Sequence, residues 1–225
     1  MLTGVYALDR FIDGAPSEWI VEFYGSWEIV EALMHRVVAL NSDNSRVAVV
    51  ITQEFGGLDP YRILRMVKTF RMGEGEILFA RAFKIEDTLA LLELAVRKGF
   101  PRVVVVDPYL HLGNNPREYW LATAITSRIR KILARGSEVA LFNRVSKFGE
   151  FLPEGGNYHH HTVHVLIRLS RGHRSVKAEL VKHPFRPYSV TYFSPAELFM
   201  PPALSKVSLL TWLRGDDFGQ DSAYA

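Results

Sequence analysis

Two carboxylates stand where an α/β enzyme would use them. Glu54 closely follows the apolar run 46–52, and Asp107 directly follows the run 102–106. Both therefore fall at the ends of buried strands, where ligands of such sheets bind. Asp107 there would hold a magnesium-bound water, and Glu54 would orient an attacking nucleophile. That chemistry also needs positive charge on the transferred phosphoryl group. A phosphate-binding loop of the form G-x-x-x-x-G-K-[S/T] supplies it, wrapping phosphates with backbone, neutralising them with Lys and holding Mg²⁺ with Ser/Thr. The stretch 21–33 reads as the strand, Gly turn and helix start that normally carry this loop. With the motif's first Gly on Gly25, Val30 falls on its second Gly, Glu31 takes the Lys position and Ala32 the Ser/Thr position. A carboxylate repels triphosphate and Ala cannot ligand a metal. The pattern predicts a degenerate phosphate loop of Gly25, Trp27, Glu31 and Ala32, with the Trp27 ring filling the pocket. No cofactor is expected, since ATP and Mg²⁺ would not bind tightly, and Glu54 and Asp107 become vestigial catalytic residues. A substitute cation, Lys84 or Lys147, is the alternative.

A second group mixes cations with aromatic rings. The stretch 144–158 carries Arg144, Lys147, Phe148, Phe151 and Tyr158, among Gly149, Pro153, Gly155 and Gly156. Phosphate attraction with base stacking suits single-stranded DNA; the plainer reading is a lid whose rings cover the core. Arg171 and Arg174 flank a hairpin turn, extending the basic surface or simply solvated. A third group, His159, His160, His161 and His164, invites a metal reading. The region reads as loop entering strand, with no Cys beside it, so no metal is expected.

The chain has 225 residues and no Cys, excluding disulfides, Cys-zinc ribbons and thiol nucleophiles. Basic residues exceed acidic ones by 27 to 24, too mild an excess to establish a nucleic-acid partner. No signal peptide or membrane-length apolar run is read, so a cytoplasmic protein with no membrane role is expected.

Alternating elements must position these residues. Strands are expected over 19–24, 46–52, 77–82, 102–107 and 138–143, with helices over 27–40, from Pro60, over 85–97 and from Pro116 to Ala134. This order means βα crossovers and a mostly parallel sheet. After Asn143 the pattern becomes a long loop and then strands over 163–169, 175–182 and 189–193 without helices, an antiparallel edge extension. The expectation is one α/β domain over 1–214, with a polar tail over 215–225.

The order and spacing of these pieces resemble the RecA/RadA/KaiC branch of the P-loop ATPases, especially short archaeal RadA recombinase paralogues. The segments carrying the likeness are GVYALDRFIDGAPSEWIVEFYG, VAVVITQEF, ILFARAF, PRVVVVDPYLHL, SEVALFNRV, GGNYHHHTVHVLIRLSR and VKAELVKHPFRP. The resemblance implies a RecA-like core. It places Glu54 at the water-polarising Glu, Asp107 at the Mg²⁺-side carboxylate and Asn143 at a sensor position where Arg144 replaces the family's Gln. It puts 144–158 at the DNA-contacting loop. The implied function is a non-catalytic paralogue assisting DNA repair or homologous recombination, with DNA, single-stranded favoured, or a RadA-type recombinase as partner. The alternatives are an ATPase with an unconventional phosphate site and a KaiC-like signalling or scaffolding protein. Without a working clamp, a monomer or dimer is favoured over a ring or filament.

Overall fold

A computed structural model describes residues 1–12, 16–53, 56–113, 119–149 and 151–202. Expectations that fall on Glu54, on Pro116 and on 203–225, including the tail, lie outside the described residues.

The elements follow in the order α1 (Tyr6–Ile12), β1 (Ile20–Gly25), α2 (Trp27–Asn41), β2 (Arg46–Ile51), α3 (Pro60–Phe70), β3 (Glu76–Arg81), α4 (Ile85–Lys98), β4 (Arg102–Val106), α5 (Tyr119–Ala134), β5 (Glu138–Asn143), α6 (Gly156–Thr162), β6 (Val165–Arg171), β7 (Val176–Lys182) and β8 (Ser189–Phe193), then a short 3-10 helix (Pro195–Leu198). The sheet runs β3-β2-β4-β5-β1-β6-β7-β8. Local chemistry explains the boundaries. Asp59 caps α3 through its carboxylate, with Pro60 at the first turn. Gly99 closes α4 at φ 62, a conformation cheap only for glycine.

Strand β4 is buried on both faces, Val103 to Val106 each at 0% exposure. Each such valine contributes about 1.5–3 kcal/mol of burial. The core divides into two layers. One face packs Leu33, Val37 and Val38 of α2 against Val49, Val104 and Phe142, with α1 and α3 beside them. The other packs Leu92 of α4 and Ile125 and Ile129 of α5 against Val50, Val105 and Leu141.

Three features differ from the sequence expectation. Helix α1 was not anticipated. Residues 156–162 form a helix rather than loop; its Gly155 cap has φ 130, and a Cβ there would meet the His159 and Tyr109 rings at 2.7 Å. Tertiary packing of His159, not local propensity, holds this short helix. Because α6 returns the chain over β1, β6 pairs parallel with β1, and the antiparallel part begins only at β7.

Strand β1 and helix α2 meet at Gly25. Its φ is 124, and a Cβ there would lie 2.0 Å from the Leu169 carbonyl oxygen of β6. Gly25→Ala combines a strained backbone with overpacking, each about 1–3 kcal/mol. Chemical denaturation should show a loss of about 2–4 kcal/mol, against near-neutrality for Gly149→Ala, where a Cβ meets open space.

Candidate functional site

The carboxyl ends of β1, β2, β4 and β5 converge on one region, and β1 sets its floor. Only Ser26 separates β1 from α2; its N–H donates to Leu169 O at 2.8 Å, and Ile29 and Val30 already donate back to Ser26 O. No loop intervenes. Val30, Glu31 and Ala32 lie inside the first turns of α2, Val30 and Ala32 buried in the core. The eight-residue motif laid on Gly25 by letter therefore corresponds here to one linking residue followed by helix. Trp27 is the first helical residue and is half-buried.

Asp107 ends β4 with its N–H on Phe142 O at 2.7 Å and a left-handed φ of 54, rare outside glycine. Thr52 Oγ1 donates to its carbonyl oxygen. The carboxylate is 2% exposed and is met by Arg144 Nε at 2.5 Å and by Gln53 Nε2 at 3.3 Å. Burial pushes the Asp107 carboxyl above its ordinary value, and the hydrogen bond and charge of Arg144 oppose that rise. The same guanidinium lies over the Trp27 ring, its centre 4.6 Å from the centroid. Trp27, Arg144 and Asp107 thus form one stack across the ends of β1, β4 and β5. The sequence placed Arg144 in a DNA loop and Trp27 in an emptied pocket; the structure joins them.

A buried polar network beneath this stack escaped the sequence reading. Glu22, on β1 at 0% exposure, accepts from Asn143 Nδ2 at 2.7 Å and pairs with His159 Nε2 at 2.8 Å. His159 Nδ1 meets Tyr109 Oη at 2.8 Å, and Tyr109 meets Thr126 Oγ1 at 2.8 Å. Asn143 also donates to Glu154 O at 2.8 Å and accepts from Arg144 N–H at 2.8 Å. A Glu in the middle of an apolar strand was the one available signal, since such a group must be answered from elsewhere in the fold.

Residues 144–149 fold back against 151–155. Val145 bridges Pro153, Ser146 N–H donates to Leu152 O at 2.9 Å, and Glu154 Oε2 accepts from Lys147 N–H at 2.8 Å. Lys147 Nζ donates to Leu112 O at 3.0 Å. Phe148 and Phe151 keep exposed rings, 62% and 48%. Tyr158 stands apart from them on α6, its hydroxyl hydrogen-bonded to Arg130 and Ser127, which lowers its pKa. Arg171 pairs with Glu28 at 3.2 Å on the surface, and Arg174 is exposed at the β6–β7 turn. The histidines diverge: His160 Nε2 meets Pro153 O at 2.8 Å, while His164 Nδ1 accepts from Ile20 N–H at 3.1 Å. Among the described residues no three His, Cys, Asp or Glu side chains come together as metal ligands.

No protein-family model and no curated protein matches this sequence. Among solved structures, one described as the crystal structure of the RadB recombinase is similar at a TM-score of 0.74 and 20% identity, over 88% of this chain and 97% of that one. The fold is accordingly that of a RecA-like core, with a mostly parallel eight-stranded sheet and an antiparallel C-terminal part.

Removing Arg144 leaves Asp107 buried without its cation. Arg144→Ala should raise the Asp107 pKa further and cost about 1–3 kcal/mol at pH 8, less than a fully buried pair because Arg144 is 45% exposed. A raised folded-state pKa disfavours the fold as pH rises through it. The deficit against wild type should therefore shrink as pH falls toward 4, measured by urea unfolding across that range; a pH-independent deficit contradicts the pairing.

Proposed function

We propose that this chain is a non-catalytic RecA-fold recombinase paralogue that assists homologous recombination or DNA repair by binding DNA, a RadA-type recombinase, or both. The observation that carries the non-catalytic part is the Trp27–Arg144–Asp107 stack beside a strand–helix link of one residue. A magnesium–triphosphate complex does not fit these residues. The linker offers no loop of backbone N–H groups, Glu31 and Ala32 provide neither cation nor hydroxyl, and Asp107 already has a cation in Arg144. Of the two substitute lysines, Lys147 Nζ is held by Leu112 O, while Lys84 stands exposed at the start of α4 with no side-chain hydrogen bond to the helix end. These points weigh against an ATPase with an unconventional site, and against Glu54 and Asp107 as more than vestigial.

The similarity to the RadB recombinase structure supports a recombination role over KaiC-like signalling. Exposed Phe148 and Phe151, the latter under the Arg168 guanidinium, support DNA as a partner. Arg144, Lys147 and Arg171 are engaged within the fold, which moves the weight of DNA contact away from them. Without a nucleotide to cement subunit boundaries, a monomer or dimer is favoured. No described helix is long and apolar enough to cross a membrane; a cytoplasmic location is part of the proposal.

The test is calorimetric and enzymatic. With ATP and Mg²⁺ the protein should release no phosphate above background and show no micromolar binding. Micromolar ATP affinity that disappears in Asp107→Ala defeats the non-catalytic reading. Single-stranded DNA should bind with an affinity that falls as salt rises. Absence of binding to both DNA and a RadA-type recombinase defeats the recombination reading.

A further inference from the structure

The sheet is covered unevenly. On the face where α4, α5 and α6 pack, the apolar core ends at Leu166 of β6 and the half-buried Val181 of β7, although Glu179 beyond them is covered to 5% exposure. Beyond them this face carries Arg168 and Ser170 of β6, Lys177 and Glu179 of β7, and Val190 and Tyr192 of β8, fixed by the pairs Arg168↔Glu179, Ser170↔Lys177, Glu179↔Val190 and Lys177↔Tyr192. The opposite face of the same strands is core, holding Ile167, Leu169, Ala178, Leu180 and Phe193. The open face is unusually aromatic. Tyr188 is 55% exposed and Tyr192 62%, and Phe151 lies at its near end under the Arg168 guanidinium at 5.5 Å. Phe151 is tied there because its carbonyl accepts from Tyr24 Oη at 2.7 Å.

We infer that this open face of β6–β8, from Phe151 across Arg168 and Lys177 to Tyr192, is a stacking platform for single-stranded nucleic acid, an inference that rests on the DNA-binding reading above and locates it. Exposed rings beside cations match what unpaired bases and their phosphates require, whereas duplex DNA hides the faces of its bases. Tyr188 immediately precedes β8 and Tyr192 lies on it, so their rings project from positions about 13 Å apart, a span that bases two nucleotides apart on an extended strand can bridge. The one acidic group on the face is quenched: Glu179 Oε1 accepts from Lys177 Nζ at 2.8 Å and from Tyr188 Oη at 2.6 Å. Arg168 has no ion pair among the described residues, and Arg174 at the adjoining turn adds a second cation. The balance of the face is therefore positive, which favours a polyanion over an acidic-and-apolar protein surface.

The test is fluorescence anisotropy of labelled oligothymidylate with the full chain across a salt series. Tyr192→Leu and Phe151→Leu should each weaken binding about tenfold without changing the salt slope, because stacking releases no counterions. Tyr192→Phe should stay within about twofold of wild type. Arg168→Gln should flatten the slope instead, since Lys177 is already paired with Glu179. An abasic oligodeoxyribose phosphate should bind wild type and both Leu variants equally. Both side chains are exposed, and circular dichroism melts confirm folding of each variant. If wild type binds oligothymidylate and both Leu variants bind as tightly, the platform is wrong while DNA binding stands. If wild type does not bind at low salt, the DNA reading itself fails. A protein partner lost from Tyr192→Leu with oligothymidylate binding unchanged reassigns the face to protein docking and overturns the inference.

Discussion

The upper half of the sheet is organised around one buried carboxylate. Glu22 has no exposed surface, and stripping such a group of water costs several kcal/mol unless donors replace it. The donors come from two elements distant in sequence, Asn143 at the end of β5 and His159 in α6. Satisfying Glu22 therefore fixes α6 over β1, and with it the parallel placement of β6. Asn143 then holds Glu154 O and the Arg144 N–H, closing the turn between β5 and α6. Glu154, also buried, accepts from Lys147 N–H and Tyr119 Oη. The direction in which Arg144 leaves β5 is thus set by a chain of hydrogen bonds that begins at Glu22.

That direction brings Arg144 to Asp107. A carboxylate at the end of a buried parallel strand needs a positive partner, and where such a strand ends at a metal site the partner is the bound ion. Here the chain provides its own. The guanidinium satisfies Asp107 with a short hydrogen bond while its flat face rests on Trp27, an arrangement Lys cannot reproduce. Asp107 keeps its left-handed backbone because Phe142 O and Thr52 hold it on both sides. The charge of Asp107 is thus met within the chain, by Arg144.

Much of the fold was legible because its signals are local. Val103 to Val106, bounded by Pro101 and Asp107, reads as a doubly covered strand from composition alone, and Pro60 and Gly99 mark helix ends through backbone chemistry. What was hidden depends on distant partners. Helix α6 is seven residues beginning with glycine and containing three histidines in a row, so tertiary contacts, with buried His159 at their centre, stabilise it. The pairing of β6 with β1 spans most of the chain and leaves no trace in either strand. At the site, Asp107, Asn143 and Trp27 were legible as positions, but the Arg144 contact joining two of them was not. The link at Gly25 shows a subtler limit. The strand before it and the helix from Trp27 were both read, and together they leave room for only Gly25 and Ser26; a letter-by-letter motif comparison does not test that length.

The same distinction applies to charge. The sequence offers two basic stretches, but positive charge available to a partner is what remains after internal use. Arg144 is spent on Asp107, Lys147 Nζ and Lys182 Nζ on main-chain carbonyls, and Arg171 on Glu28. Backbone carbonyls leave the net charge in place but hold the ammonium groups against the protein surface, away from an incoming phosphate. The usable field is therefore narrower than the composition implies, and a weak field must be supplemented by contact energy of another kind. Exposed aromatic rings concentrate around Phe151 and β8, where helices leave the sheet uncovered. The same uncovered strands carry exposed rings and positive charge side by side.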